Sequence, residues 1–222
     1  MWSYLGSKGR IIDYYPEPIY NTIIEPFAGT ARYALKYFDR NIWINDKSQV
    51  ITGIWRYIKG ASKKDIQQLP ELKKAGQSLK NYKYLSDVER HLLGFAVQLG
   101  KTRPGSKMSS WAAKHNSICR LKQNVLQNLH KVRHWQITNL NYDELPNRKV
   151  TWFVDAPYQV GGREYPEHKI NYDDLRRWIY GRRGQMIACE NANGDWLYTR
   201  PLVQSNLIRQ TTEHIFTRNV HG

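Results

Sequence analysis

Two stretches of the chain carry their apolar residues in short runs broken by polar turns. Residues 20–24, 41–45, 135–140, 150–154 and 185–189 each form a compact run of this kind. A run of that length, bounded by turn formers, reads as a strand buried on both faces, as in a parallel sheet. Helical spacing at 31–38 and 172–180 sets helices between some of these strands. The tail is β-rich, and 206–212 followed by 214–220 reads as a hairpin whose turn is not of a strong type.

From about residue 60 to 134 the pattern becomes polar, lysine-rich and helical. Ser86-Asp87-Val88-Glu89 has the form of a capping box, which predicts an amphipathic helix running to about residue 99. Gly100-Lys101-Thr102-Arg103-Pro104-Gly105-Ser106-Lys107 breaks the helical pattern, and a second long helix is expected over 109–133. Leu92, Leu93, Val97, Val125, Leu126 and Leu129 are expected to pack these helices together. The organisation expected is therefore a sheet domain in two halves, 1–58 and 135–222, with a helical insertion at 59–134.

Composition adds one strong constraint. The chain has 222 residues and is 41% hydrophobic, enough for one substantial core. Its 34 Lys and Arg against 19 Asp and Glu give a net charge of +15. A polyanion is the simplest partner for that excess, because cations bind phosphates by releasing condensed counterions. No apolar run approaches the roughly 18 residues a membrane span needs, and no signal-peptide pattern opens the chain. An intracellular, cytoplasmic protein with no membrane partner is expected. Cys119 and Cys189 lack disulfide or metal-ligand spacing, so both are expected to sit as small apolar residues. The histidines lack zinc-helix spacing, and no metal is expected.

Two strand ends carry the chemistry. After the first strand comes Ile24-Glu25-Pro26-Phe27-Ala28-Gly29-Thr30, where a glycine turn lets the backbone approach a small molecule closely. The next strand ends in Asn45-Asp46, an acid placed to accept hydrogen bonds from a ribose, or to cap a helix, since Ser48 follows. After the 150–154 strand comes Asp155-Ala156-Pro157-Tyr158. An acid, a proline and an aromatic there suit a planar ligand bearing an amine. Together the two pockets suggest a transferase that joins a cofactor to a base.

With Tyr4-Leu5-Gly6-Ser7-Lys8 before them and Cys189-Glu190-Asn191 and Asp195-Trp196-Leu197 after, these pieces stand in a recognisable order. The chain resembles the S-adenosylmethionine-dependent DNA adenine methyltransferases, most of all short forms found in phages and prophages, in the Dam-like alpha arrangement. The resemblance covers residues 1–58 and 135–198 well and the middle poorly. It implies an α/β, Rossmann-like class I methyltransferase fold with a mostly parallel twisted sheet. It implies S-adenosylmethionine held by Tyr4, Lys8, the turn of Glu25, Pro26, Phe27, Ala28 and Gly29, Asp46 and Asp155. The bland alternative for Tyr4 and Lys8 is an N-terminal strand with Lys8 solvated.

The catalytic set implied is Asp155, Ala156, Pro157 and Tyr158. Asp155 and the Ala156 carbonyl would accept the hydrogens of an adenine amine, with Tyr158 stacked on the flipped base. The family usually has proline where this chain has Ala156; the carbonyl survives, but the fixed φ does not. The partner implied is double-stranded DNA, with Lys101, Arg103, Lys107, Ser109, Trp111 and Arg163 as candidate contacts. A mobile loop after Tyr158 is expected to close over the base. The cytosine N4 amine poses the same hydrogen-bonding problem, and a catalytically degenerate nucleic-acid-binding protein stays open because of Ala156.

Overall fold

A computed structural model of the chain describes residues 1–204 and 212–220, with two compact units. The first is Met1–Ser7 with Gln49–Trp135, and the second is Lys8–Ser48 with Gln136–Gly222. The expected insertion at 59–134 falls within the first. No helix among the described residues is long and apolar enough to cross a membrane.

The second unit is built on one seven-stranded sheet. Its strands are β1 (Thr22–Glu25), β2 (Asn41–Asn45), β3 (Gln136–Thr138), β4 (Val150–Val154), β5 (Gly184–Asn191), β6 (Arg200–Gln204) and β7 (Thr212–Val220). They lie in the order β3-β2-β1-β4-β5-β7-β6, with β1 to β5 parallel and β7 antiparallel to both β5 and β6. Every residue of β4 is buried, which is why Val-Thr-Trp-Phe-Val shows no alternation in sequence. Register puts Ile24, Trp152 and Met186 on one face. There they share a core with Leu175, Trp178 and Ile179 of helix α7 (Tyr172–Gly181). On the opposite face Phe153 stacks on Tyr33 of helix α1 (Arg32–Lys36) with ring centroids 4.4 Å apart, and Tyr15 meets its edge.

Several expected elements shorten. α1 stops at Lys36 and β3 covers only Gln136–Thr138. The expected hairpin turn at residue 213 is not formed: β7 runs through it from Thr212 to Val220 and pairs with β6, while the expected strand at 206–212 lies almost wholly outside the described residues.

The first unit is helical: α2 (Gln49–Gly60), α3 (Lys63–Gln68), α4 (Asp87–Val97), α5 (Ser110–Lys114) and α6 (Ser117–Asn128). The capping box before α4 is present, with Ser86 Oγ accepting from the Glu89 N–H and Glu89 Oε2 accepting from the Ser86 N–H. The helix expected over 109–133 is in fact α5, α6 and a closing 3-10 turn, because Asn116 adopts a left-handed φ of 48° between them. Leu92, Leu93, Val97, Val125 and Leu129 are buried as expected, and Trp2, Trp55, Phe95 and Trp135 join them. Cys189 is buried, whereas Cys119 is exposed on α6, contrary to expectation.

The basic breaker segment is held against α4. Its Gly105 N–H donates to the Gly94 carbonyl, and a Cβ on Gly94 would sit 2.5 Å from Pro104 Cβ, so only glycine fits there. Leu79 N–H donates to the Ser106 carbonyl and Met108 N–H to Gln77, fixing the far end.

Candidate active site

In a parallel sheet all strands deliver their carboxyl ends to one edge, and ligands bind where the strand order reverses. That point lies between β1 and β4. Glu25 closes β1, Asp46 follows β2, and Asp155 follows β4. Because β7 runs the other way, its first residues come to the same edge, with Glu213 in register opposite Asn191.

The β1 turn is tied to the end of β2. Gly29, at a left-handed φ of 46°, donates its N–H to Asp46 Oδ2 at 2.9 Å, and Ser48 donates to Oδ1 at 2.9 Å. Burial pushes the Asp46 carboxyl up to about 6, against those two hydrogen bonds. Asn45 is fully buried and uses its whole amide: Nδ2 donates to the Pro26 and Leu140 carbonyls, and Oδ1 accepts from Thr138 Oγ1 and the Leu140 N–H. Ala31 follows at φ 44°, a left-handed geometry that costs a residue with a Cβ about 1 kcal/mol. Glu25 is buried and its Oε1 accepts the Ala34 N–H at 2.5 Å, so its visible work is to hold the start of α1. Burial raises its pKa well above the usual carboxylate range. Phe27 packs on Tyr142.

At the end of β4, Lys8 reaches in from a 3-10 turn at Lys8–Arg10. Its Nζ lies 2.8 Å from Asp155 Oδ1, 3.7 Å from Glu213 Oε1 and 4.8 Å from the centre of the Tyr158 ring. Burial works against the Lys8 charge, but Asp155 and then its other neighbours outweigh it, so the ammonium persists. Asp155 keeps 24% of its side-chain surface open, so a ligand can reach it. Burial pushes its carboxyl up to about 6 although Lys8 pulls the other way; the pair is therefore ionised at neutral pH. Burial also raises the Tyr158 hydroxyl and the Cys189 thiol, keeping both protonated. The Tyr158 hydroxyl donates to Glu213 Oε1 at 2.7 Å, and the Tyr15 hydroxyl donates to the same oxygen at 2.6 Å.

The segment after Tyr158 is anchored at its near end rather than loose throughout. Glu190 Oε2 accepts the Gln159 N–H at 3.1 Å and the Trp196 Nε1–H at 2.5 Å. Asn191 Nδ2 donates to the Val160 carbonyl and Asp195 N–H donates to Gln159 Oε1. Pro157 is fixed by the Tyr172 hydroxyl, which donates to its carbonyl at 2.9 Å. Ala156 is buried and Arg163 is exposed.

Of the residues singled out in the sequence, Lys8 is brought into contact with both Asp155 and Tyr158, and Gly29 is joined to Asp46. Tyr4 belongs to the helical unit, where its ring meets the edge of Phe95. Lys101, Arg103, Lys107 and Trp111 are exposed there, Trp111 lying against His115. Ser109 caps α5, its hydroxyl accepting the Ala112 N–H. Sequence reasoning missed Glu213 and Tyr15. Tyr14-Tyr15-Pro16 carries no local signal, and the acid at Glu213 shows only as a polar start to an apolar run. Its place in the site depends on which strand β7 lies beside.

A mostly parallel sheet of this strand order, with acids after β2 and β4 at the edge that holds the switch point, is consistent with a Rossmann-like class I methyltransferase fold. The sequence profile of the D12 class N6 adenine-specific DNA methyltransferases matches residues 4–144, more than half of the chain, and the chain belongs to that family. The match takes in the β1 turn and Asp46 and ends before β4, so roles at Asp155 and Tyr158 rest on geometry.

No curated protein matches the chain in sequence. Solved structures of low similarity include a protein from Pseudomonas syringae described as a methyltransferase, at 11% identity over 93% of each chain with a TM-score of 0.38. Another is a conserved protein of Streptococcus pyogenes, at 7% identity over 97% of this chain and 98% of that one, TM-score 0.42. A third is the rRNA methyltransferase AviRa from Streptomyces viridochromogenes, at 11% identity over 94% of this chain and 80% of that one, TM-score 0.39. Likeness at this level says nothing about substrate.

Proposed function

We propose that the protein transfers a methyl group from S-adenosylmethionine to the exocyclic N6 amine of an adenine flipped out of double-stranded DNA, at a specific site. The observation that carries this reading is the contact of Lys8, Asp155 and Tyr158 beside the β1 turn. A carboxylate and an aromatic face stand together where the switch point would place a methyl donor.

The residues present fit the donor. Each Asp46 oxygen already accepts one backbone N–H, which leaves acceptor capacity for two ribose hydroxyls. Pro26, Phe27, Ala28 and Gly29 form the turn that would wrap its methionine portion, with Glu25 bracing the turn through α1. When bound, the donor supplies an electrophilic methyl on a sulfonium.

The protein's part is to make a poor nucleophile attack. The lone pair of an adenine amine is delocalised into the ring. Asp155 and the Ala156 carbonyl, accepting its two hydrogens, draw the nitrogen toward tetrahedral geometry and free that lone pair. Acceptors aimed in advance need no reorganisation during the reaction. Tyr158 offers the stacking face that offsets unpairing of the base. Lys8, charged and bonded to Asp155, keeps the carboxylate ionised and turned inward.

The helical unit is assigned to DNA. It holds 17 Lys and Arg against 4 Asp and Glu, which is +13 of the chain's +15. Lys101, Arg103 and Lys107 stand exposed on the pinned segment and suit phosphate contacts; Trp111 and Ser109 adjoin them, and Arg163 is an exposed cation beside the catalytic loop.

Methyl transfer from radiolabelled S-adenosylmethionine to unmethylated genomic DNA, followed by digestion to nucleosides, tests this. Label is expected in N6-methyladenine, falling about a hundred- to a thousandfold in Asp155→Ala, as for loss of a preorganised polar group. Glu213 remains 3.7 Å from Lys8 and gives it a partner in that variant. Label in methylcytosine would overturn the choice of base; no label on DNA would overturn the reading itself.

A further inference from the structure

Glu213 carries nothing in the scheme above, yet it sits at the centre of the polar cluster. One of its oxygens, Oε1, accepts the hydroxyls of Tyr158 at 2.7 Å and Tyr15 at 2.6 Å, and lies 3.7 Å from Lys8 Nζ. Its side chain is only 12% exposed, and a carboxylate is not held among tyrosines without partners that offset its desolvation. Here one of those partners is Tyr158, the ring proposed to face the base, and another is Lys8, which holds Asp155. Tyr15 is itself packed, its ring T-shaped against Phe153 in β4, so the Glu213 oxygen that holds Tyr158 is also tied to a ring seated on the sheet.

A tyrosine ring has two torsions. Packing alone fixes the first loosely, and a hydroxyl bonded to a fixed acceptor fixes both. Of the groups that meet Tyr158, Lys8 lies over the ring and Glu213 holds its hydroxyl end. The ring plane is thereby set before any base arrives. We propose that Glu213 is a positioning residue for methyl transfer: through the Tyr158 hydroxyl it orients the ring on which the target base stacks, and through Lys8 it keeps the cation beside Asp155. It touches neither base nor donor. The inference rests on the proposed placement of the base against Asp155 and Tyr158.

The test is a double-mutant cycle on methyl transfer with Glu213→Ala and Tyr158→Phe, with Glu213→Gln as the conservative variant. Tyr158→Phe keeps the stacking ring and removes only the hydroxyl. Each of Glu213→Ala and Tyr158→Phe is expected to lower kcat about 10- to 100-fold, the range for a hydrogen bond to a charged group. The double variant is expected to be no worse than the poorer single one, because both remove the same bond. Glu213→Gln keeps an acceptor and is expected to recover most of the rate. The dissociation constant for S-adenosylmethionine should stay within about threefold throughout, a range too small to imply a lost contact. A duplex with 2-aminopurine at the target position should show a weaker flipping signal in Glu213→Ala. Asp155 remains to pair Lys8 in these variants, and circular dichroism with donor affinity reports that they fold.

Independent, multiplying losses in the cycle, or a kcat unchanged in Glu213→Ala, would overturn the inference while leaving the proposed function intact. An inactive wild type, or one whose activity survives Asp155→Ala, would overturn the function instead.

Discussion

The two units use their buried space differently. In the helical unit the buried side chains are apolar apart from Thr52 and Ser117, and four tryptophan and phenylalanine rings fill its centre. In the sheet unit Lys8, Glu25, Thr30, Asn45, Thr151, Gln185 and Glu190 are all buried. The net charge divides the opposite way: the helical unit carries +13 on its surface and the sheet unit, with 17 cations and 15 anions, carries +2. An apolar core is indifferent to detail and supports a surface free to be basic. A polar interior must satisfy every donor and acceptor, and it fixes loops and carboxylates to within a hydrogen bond. The contrast separates a strongly basic unit with an apolar core from a sheet edge whose polar groups are held by hydrogen bonds.

That contrast yields predictions of declining size. The largest is Asp46→Ala, which removes the proposed ribose acceptor and unties Gly29. Donor affinity should fall at least about 100-fold, as for two hydrogen bonds to a charged group, with DNA affinity unmoved. Isothermal titration with S-adenosylmethionine measures it, and a change under threefold would remove Asp46 from the donor site. Next, Lys101→Ala, Arg103→Ala and Lys107→Ala combined should weaken DNA binding and flatten its dependence on log salt by about 0.9 per lost phosphate contact. The kcat at saturating DNA should not change. An unaltered salt slope would take these residues off the DNA.

A third prediction concerns pH. In the proposed reaction the ionised Asp155 accepts the amine hydrogens, so kcat should rise about tenfold per pH unit up to about 6 and then level. Stability moves the other way. A carboxyl whose pKa is raised on folding favours the folded state when protonated, and that contribution disappears as pH rises from about 4 through 6. Over that window the melting temperature of the wild type should fall relative to Asp155→Asn, which does not titrate. Parallel melting curves would show that the carboxyl is not perturbed. The smallest effect is expected from Ala156→Pro, which restores the fixed φ and should leave turnover equal or a fewfold higher. A large loss in a folded, donor-binding variant would mean that the Ala156 carbonyl is not an acceptor.

Much of the sheet was legible because its signals are local. The all-apolar run of β4, the glycine turn after β1 and the acids that end β2 and β4 each need only their own neighbours in sequence. The capping box before α4 is readable for the same reason. The break at Asn116 was not, since the residues of α5 and α6 keep a helical spacing across a single left-handed residue. Cys119 was misjudged because a helix's exposed face depends on what its other face packs against.

The sequence by itself determined the parallel strands β1 to β5, the two strand-end acids, the excess of cations and the family. It could not say that Lys8 would meet Asp155, far along the chain, at 2.8 Å, nor that Glu213 would join them. Those contacts follow from strand order. β7 enters antiparallel between β5 and β6, and this reversal alone carries its first residues to the edge where the parallel strands end. Pairing between strands far apart in the chain is a global outcome of burying the sheet's faces, and no local pattern encodes it.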